Sequence, residues 1–199
     1  MIDLTIIIQA GGQSKRMGQD KGLMEFGGVP LVTYIYEQVH PLGYPSFVIS
    51  NQPSDYQFLG VPVFSDVIPD IGALGGIYSA LYYARTDFVL MLGCDMPFID
   101  LGLINFMMEL ANNSDVVIPS THEDGSMEPF QAIYGKQCEK PILEAIGKGK
   151  RRVISFFPDV RVRKITKSEI EQFDPLLRSF NNVNTPEEYE RAINMLKDL

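Results

Sequence analysis

The sequence predicts an α/β protein with a doubly wound, mainly parallel central sheet. Three observations carry this. Short apolar, β-rich runs recur at Leu4–Ile8, Phe47–Ser50, Val61–Phe64, Phe88–Leu92 and Val116–Ile118, and several are separated by stretches with helical spacing, the pattern of βαβ units. The run Phe88-Val89-Leu90-Met91-Leu92 is apolar at every position, as a strand covered by helices on both faces requires. The first run ends abruptly in the glycine-rich, basic stretch Gln9 to Lys21, at the carboxyl end of a strand, where open α/β sheets hold ligands. With 199 residues, 45% hydrophobic and 21% charged, the chain fits one domain spanning residues 1–199 with a full core.

Taken in order, the opening stretch reads Gln-Ala-Gly-Gly-Gln-Ser-Lys-Arg-Met-Gly-Gln-Asp-Lys. Gly11 and Gly12 let the backbone turn and bring bare N–H groups toward a ligand, while Ser14, Lys15, Arg16 and Lys21 add donors and positive charge, a combination suited to phosphate. Neither G-x-x-x-x-G-K-[ST] nor G-x-G-x-x-G can be read there, which disfavours P-loop and dinucleotide sites. Val29 to Val39 is predicted helical, with Leu31, Ile35 and Val39 on one face and Pro30 in the first turn. The second and third strands end in Asn51 and Asp66. Gly72, Gly75 and Gly76 then lead into a helix from Ile77 to Ala84, again permitting close approach of a ligand to backbone.

Phe88–Leu92 runs into Gly93-Cys94-Asp95-Met96-Pro97-Phe98. A carboxylate at the exit of the most buried strand calls for an opposing charge, and Mg²⁺ on a nucleoside triphosphate, which takes one or two carboxylates plus phosphate oxygens, makes Asp95 the first candidate metal ligand. The polar stretch 119–126 reads as an exposed loop, Glu128 to Tyr134 as a strand and Cys138 to Ile146 as a helix. Lys148, Lys150, Arg151 and Arg152, with Arg161, Arg163 and Lys164 beyond, form a second basic concentration, either a solvated face or a contact for an anionic second substrate. In the last helix, Thr185 as N-cap, Pro186 at the first position and Glu188 three residues on make a capping box, and Tyr189, Ile193 and Leu196 form the apolar face. Asn182 and Asn184, two apart, point the same way if their segment is extended.

The net charge of −8 argues against nucleic acid and against an anionic membrane surface. No basic, apolar leader opens the sequence and no apolar run nears the roughly 20 residues that span a bilayer, so a cytoplasmic location is expected. Cys94 and Cys138 form no C-x-x-C pair, and His40 and His122 are isolated. Neither a disulfide framework, a zinc site nor a Cys–His nucleophile is indicated.

Ala10-Gly11-Gly12 with Ser14, Arg16-Met17-Gly18 and Lys21-Gly22, then Gly72 to Gly76, Gly93-Cys94-Asp95-Met96-Pro97-Phe98, Glu128-Pro129 and Asn182-Val183-Asn184-Thr185-Pro186-Glu187 together resemble the molybdenum cofactor guanylyltransferases, in the family's order and across nearly the whole chain. The resemblance implies a Rossmann-like three-layer fold of the nucleotide-diphospho-sugar transferase type. It also implies transfer of GMP from Mg-GTP to molybdopterin with release of pyrophosphate. It places nucleotide binding on Gln9, Ala10, Gly11, Gly12, Lys21, Asn51, Asp66 and Asp95, with Mg²⁺ on Asp95, a phosphate-facing role on Arg16, and the pterin half on Asn182 and Asn184. Expected partners beyond these substrates are transient contacts with cofactor-biosynthesis proteins and acceptor molybdoenzymes. The sequence departs from the family at Gln9, where leucine is common, and at Ala73, where proline is common, both on the base-side wall.

The chemistry suits these residues. The attacking group is a phosphate oxygen, so alignment and charge stabilisation by Arg16, Lys21, loop amides and Mg²⁺ at Asp95 suffice. Two other readings stay open: a cytidylyl or sugar-1-phosphate nucleotidyltransferase, suggested by the generic first loop and Gln9, and a non-catalytic nucleotide- or cofactor-binding delivery protein.

Overall fold

A computed structural model describes residues 2–10, 20–121 and 125–197. The first strand, β1 (Leu4–Gln9), is followed by a two-stranded ribbon of β2 (Glu25–Phe26) and β3 (Val29–Pro30), helix α1 (Leu31–Val39) and β4 (Ser46–Ile49). A 3-10 turn, Pro53–Leu59, leads to β5 (Val63–Phe64), α2 (Ala73–Tyr83), β6 (Phe88–Gly93), α3 (Leu101–Ala111), β7 (Val116–Pro119) and β8 (Gln131–Gly135). The chain closes with α4 (Glu139–Gly147), β9 (Val162–Ile165), the single turn α5 (Lys167–Ile170) and α6 (Pro186–Lys197).

The main sheet has the order β5-β4-β1-β6-β8-β7-β9. All its pairs are parallel except those made by β8, which runs against β6 and β7. This agrees with the predicted mainly parallel sheet. Successive side chains on β6 enter opposite cores: Leu90 and Leu92 meet α1, α3 and α6, while Val89 and Met91 meet α2 and α4. Each such side chain contributes roughly 1.5–3 kcal/mol through burial, which explains the unbroken apolar run.

The strand order also fixes where a ligand can enter. From β1 the chain crosses to β4 and β5 on one side, then returns past β1 to β6 on the other. The loops after β1 and β6 therefore part company at a reversal of strand order, the crevice where open α/β sheets bind ligands.

Several expectations need correction. Val29 and Pro30 belong to the ribbon, and α1 starts at Leu31. Gly75 and Gly76 lie inside the first turns of α2 rather than before it. The strand expected from Glu128 begins at Gln131. Within the loop expected to be exposed, Thr121 is buried and Ser120 bridges to Met127. Both cysteines are buried and neither is in a disulfide; burial pushes the Cys138 thiol up to about 12, which makes it inert as a nucleophile. Among the described residues, no helix is long and apolar enough to cross a membrane.

Candidate active site

The end of β1 is anchored on both sides. The Ala10 N–H donates to the Ile49 carbonyl at the end of β4 (2.8 Å), and the Cys94 N–H donates to the Gln9 carbonyl from the end of β6 (3.1 Å). Gly11, Gly12, Ser14, Lys15 and Arg16 lie outside the described residues. The chain resumes at Asp20, whose carboxylate caps the turn Lys21–Leu23 by accepting the Gly22 N–H at 3.0 Å. Under this turn lies Tyr56, fully buried, so close that a Cβ on Gly22 would sit 2.6 Å from its hydroxyl. Gly22 is therefore required by packing and not by φ.

The Lys21 side chain, 15% exposed, crosses to the strand ends. Its ammonium donates to Asn184 Oδ1 and stands 3.7 Å from Asp95 Oδ2. Asp95 is 30% exposed and folds back over Gly93, where a Cβ would come within 2.8 Å of Oδ1. That bare backbone is the cradle holding the carboxylate at the mouth of the crevice. The Asp95 carbonyl accepts the Val183 N–H at 2.7 Å, joining the strand exit to the C-terminal segment. The capping box is present: Glu188 Oε2 accepts the Thr185 N–H (3.1 Å), and Thr185 Oγ1 accepts the Glu188 N–H (3.2 Å). Asn182 is half-buried, and among the described residues only Asn184 of the two amides engages Lys21.

A second polar group forms across β4 and β5. Asn51 Nδ2 donates to Asp66 Oδ2 (3.1 Å), and the Asp66 N–H donates to Asn51 Oδ1 (3.3 Å). Ser79 of α2 donates to Asp66 Oδ1 (3.4 Å) and to the Gly75 carbonyl (2.8 Å). Nothing in the sequence around Ser79 marks it for this role. Gln9 lies against α2, where its buried Oε1 has no hydrogen-bond partner among the described residues and a Cβ on Gly76 would approach to 2.5 Å. Glu128 and Pro129 sit beside the same strand end: Gly93 donates to the Phe130 carbonyl at 2.7 Å, and Glu128 Oε1 accepts from Thr121 at 3.2 Å.

The second basic concentration divides. Arg161 is taken by Asp115 (2.8 Å) and Arg163 by Glu169. Lys148, Lys150, Arg151 and Arg152 are exposed. They follow α4, which packs on α2. Among the described residues no three His, Cys, Asp or Glu side chains converge as a metal cluster. A cavity of about 520 Å³ opens beside Phe98, Asp100 and Arg178, and none of the candidate site residues lines it.

A mainly parallel α/β sheet with a basic side chain, a cradled carboxylate and an amide at its topological switch is an arrangement suited to holding phosphate. Residues 6–163 match the MobA-like NTP transferase domain. The chain belongs to that family and is an enzyme, a nucleotidyltransferase of the molybdenum cofactor biosynthesis type. It is 34% identical over 185 residues to a molybdenum cofactor guanylyltransferase of Syntrophotalea carbinolica, covering 93% of this chain and 88% of that one. It is 31% identical over 193 residues to a "probable molybdenum cofactor guanylyltransferase" of Carboxydothermus hydrogenoformans, covering 97% and 96%. Its fold matches the crystal structure of molybdopterin-guanine dinucleotide biosynthesis protein A from Archaeoglobus fulgidus with a TM-score of 0.85 at 22% identity, covering 98% of this chain and 100% of that one.

Proposed function

We propose that this enzyme transfers GMP from Mg-GTP to molybdopterin and releases pyrophosphate. The observation that carries the reading is the meeting of Lys21, Asp95 and Asn184 at the crevice, supported by the names of the relatives. A molybdopterin phosphate oxygen attacks the α-phosphorus of GTP and forms the new P–O bond. The bond to the α–β bridging oxygen breaks, and its electron pair leaves with pyrophosphate. Lys21 places a largely desolvated positive charge against this developing anion. Asn51 and Asp66 lock one another at the end of the nucleotide wall, and Gln9 lines it beside α2.

The Gly93 cradle presents the Asp95 carboxylate half-open, which suits a hard cation completed by phosphate oxygens. Mg²⁺ bound there would supply charge neutralisation to the phosphates. On the acceptor side, Asn182 and the exposed cations Lys148, Lys150, Arg151 and Arg152 are the groups assigned to an anionic second substrate, with Arg16 keeping the phosphate-facing role its motif implies. Mixing the protein with Mg-GTP and molybdopterin should release pyrophosphate; silence, with an active control enzyme present, would remove the reading. Calorimetry with GTP, CTP, UTP and dTTP separates it from the cytidylyl and sugar-1-phosphate alternative, since only guanylyl transfer requires GTP to bind best.

A further inference from the structure

The Lys21 ammonium faces two acceptors of unequal strength. Asn184 Oδ1 takes its hydrogen bond, while the nearest Asp95 oxygen remains at 3.7 Å, beyond hydrogen-bond length. A largely buried ammonium beside a carboxylate would ordinarily close to about 2.8 Å. Here the neutral amide holds it off. Asn184 can do this because its own backbone is fixed: its N–H donates to Glu188 Oε2 at 2.7 Å, and the Thr185 N–H reaches the same oxygen. One residue earlier, Val183 is bonded to the Asp95 carbonyl. The cap of α6 is thus braced against both members of the pair it separates.

We infer that Asn184, held by Glu188, is a positioning residue that spaces Lys21 from Asp95 and so leaves the carboxylate oxygens open to a divalent cation. The inference rests on the proposed function for the presence of that cation. It assigns Asn184 to the nucleotide and metal half of the reaction rather than to the pterin alone. Without Asn184, Lys21 closes on Asp95 and competes with the cation.

The test measures Mn²⁺ uptake by the protein at fixed GTP, with no molybdopterin, as the further loss of the free-ion electron paramagnetic resonance signal beyond that of the same Mn²⁺ and GTP mixture without protein. Asn184→Ala should weaken binding by about tenfold, the scale of one hydrogen bond to a charged group. Glu188→Ala should act in the same direction, and Glu188→Gln should restore most of the affinity, since its carbonyl oxygen still accepts the cap N–H groups. In a Lys21→Met background, Asn184→Ala should change binding less than about twofold, because no ammonium is left to close. A wild-type protein that takes up no Mn²⁺ with GTP would overturn the proposed function itself. Wild-type binding matched by a folded Asn184→Ala variant, with only the KM for molybdopterin raised, would overturn the spacing role.

Discussion

Gly22→Ala tests how the Lys21 turn is held. The added methyl would lie 2.6 Å from the Tyr56 hydroxyl, 3.1 Å from Cε1 and 3.3 Å from Cζ. Tyr56 is fully buried and stacks near Phe58, so it cannot swing aside. Overpacking of this kind costs about 1–3 kcal/mol, and a value near 2 kcal/mol is expected. Among the described residues the tyrosine hydroxyl makes no hydrogen bond of normal geometry; burial, then the neighbouring Asp20 carboxylate, keeps the phenol protonated. Tyr56→Phe should therefore cost less than about 1 kcal/mol, because no satisfied partner is stranded. The double variant loses the closest clash and should recover at least about 1 kcal/mol relative to the sum of the single changes. Urea unfolding midpoints at constant m-value measure this cycle, and turnover should track it, since Lys21 is the adjoining residue. A Gly22→Ala protein as stable as wild type, or additive single and double variants, would refute the packing argument.

Asp95→Ala should leave the fold intact by circular dichroism and lower kcat by more than about 100-fold, the equivalent of roughly 3 kcal/mol of transition-state stabilisation; unchanged pyrophosphate release would remove Asp95 from the metal role. Asp115 is held at about 2, first by its hydrogen bond from Arg161. Because the folded form is the stronger acid, its stabilisation is complete above about pH 4 and is lost as pH falls toward 2. Melting temperatures between pH 5 and 2.5 should fall less steeply in Asp115→Asn than in wild type. Gly76→Ala would push a methyl to 2.5 Å from Gln9 Oε1, and calorimetry should show a changed ranking of nucleoside triphosphates with little loss of thermal stability. If Gln9 faces no base, the ranking stays put.

The parallel sheet was legible because strands buried on both faces leave unbroken apolar runs, and β1, β4, β6 and β7 lie within a residue or two of those runs. The sequence reading assigns no helix at α3, although its signals are present. Asp100 caps it by accepting the Leu103 N–H at 2.7 Å, and Leu103, Ile104, Met107, Met108 and Ala111 are its buried face. Strand β9 was hidden by its edge position. Two of its four residues, Arg163 and Lys164, are basic and read as part of a charge run, whereas Arg163 is paired with Glu169. At the site, Lys21 and Asp95 were each visible from local chemistry. Their junction through Asn184 was not, because it joins positions 163 residues apart and depends on a cap at the far end of the chain. The glycines of α2 misled for a related reason: local sequence shows their freedom, while only the fold shows that Gly76 makes room for Gln9.

On the proposed function, an enzyme of net charge −8 that handles two anionic substrates needs cations of two kinds, and their burial separates them. Lys148, Lys150, Arg151 and Arg152 stand in solvent, where charges farther apart than about 8 Å are screened at physiological salt. Their effect falls on approach and capture, and weakens as salt rises. Lys21 is largely shielded, so its charge acts at short range on the phosphates with little screening. The cost of that shielding is a tendency to collapse onto the one carboxylate nearby. Tyr56 and Asp20 fix the backbone end of Lys21, and Asn184 fixes its tip, so both the opening loop and the last helix are needed to keep one ammonium where phosphate chemistry can use it.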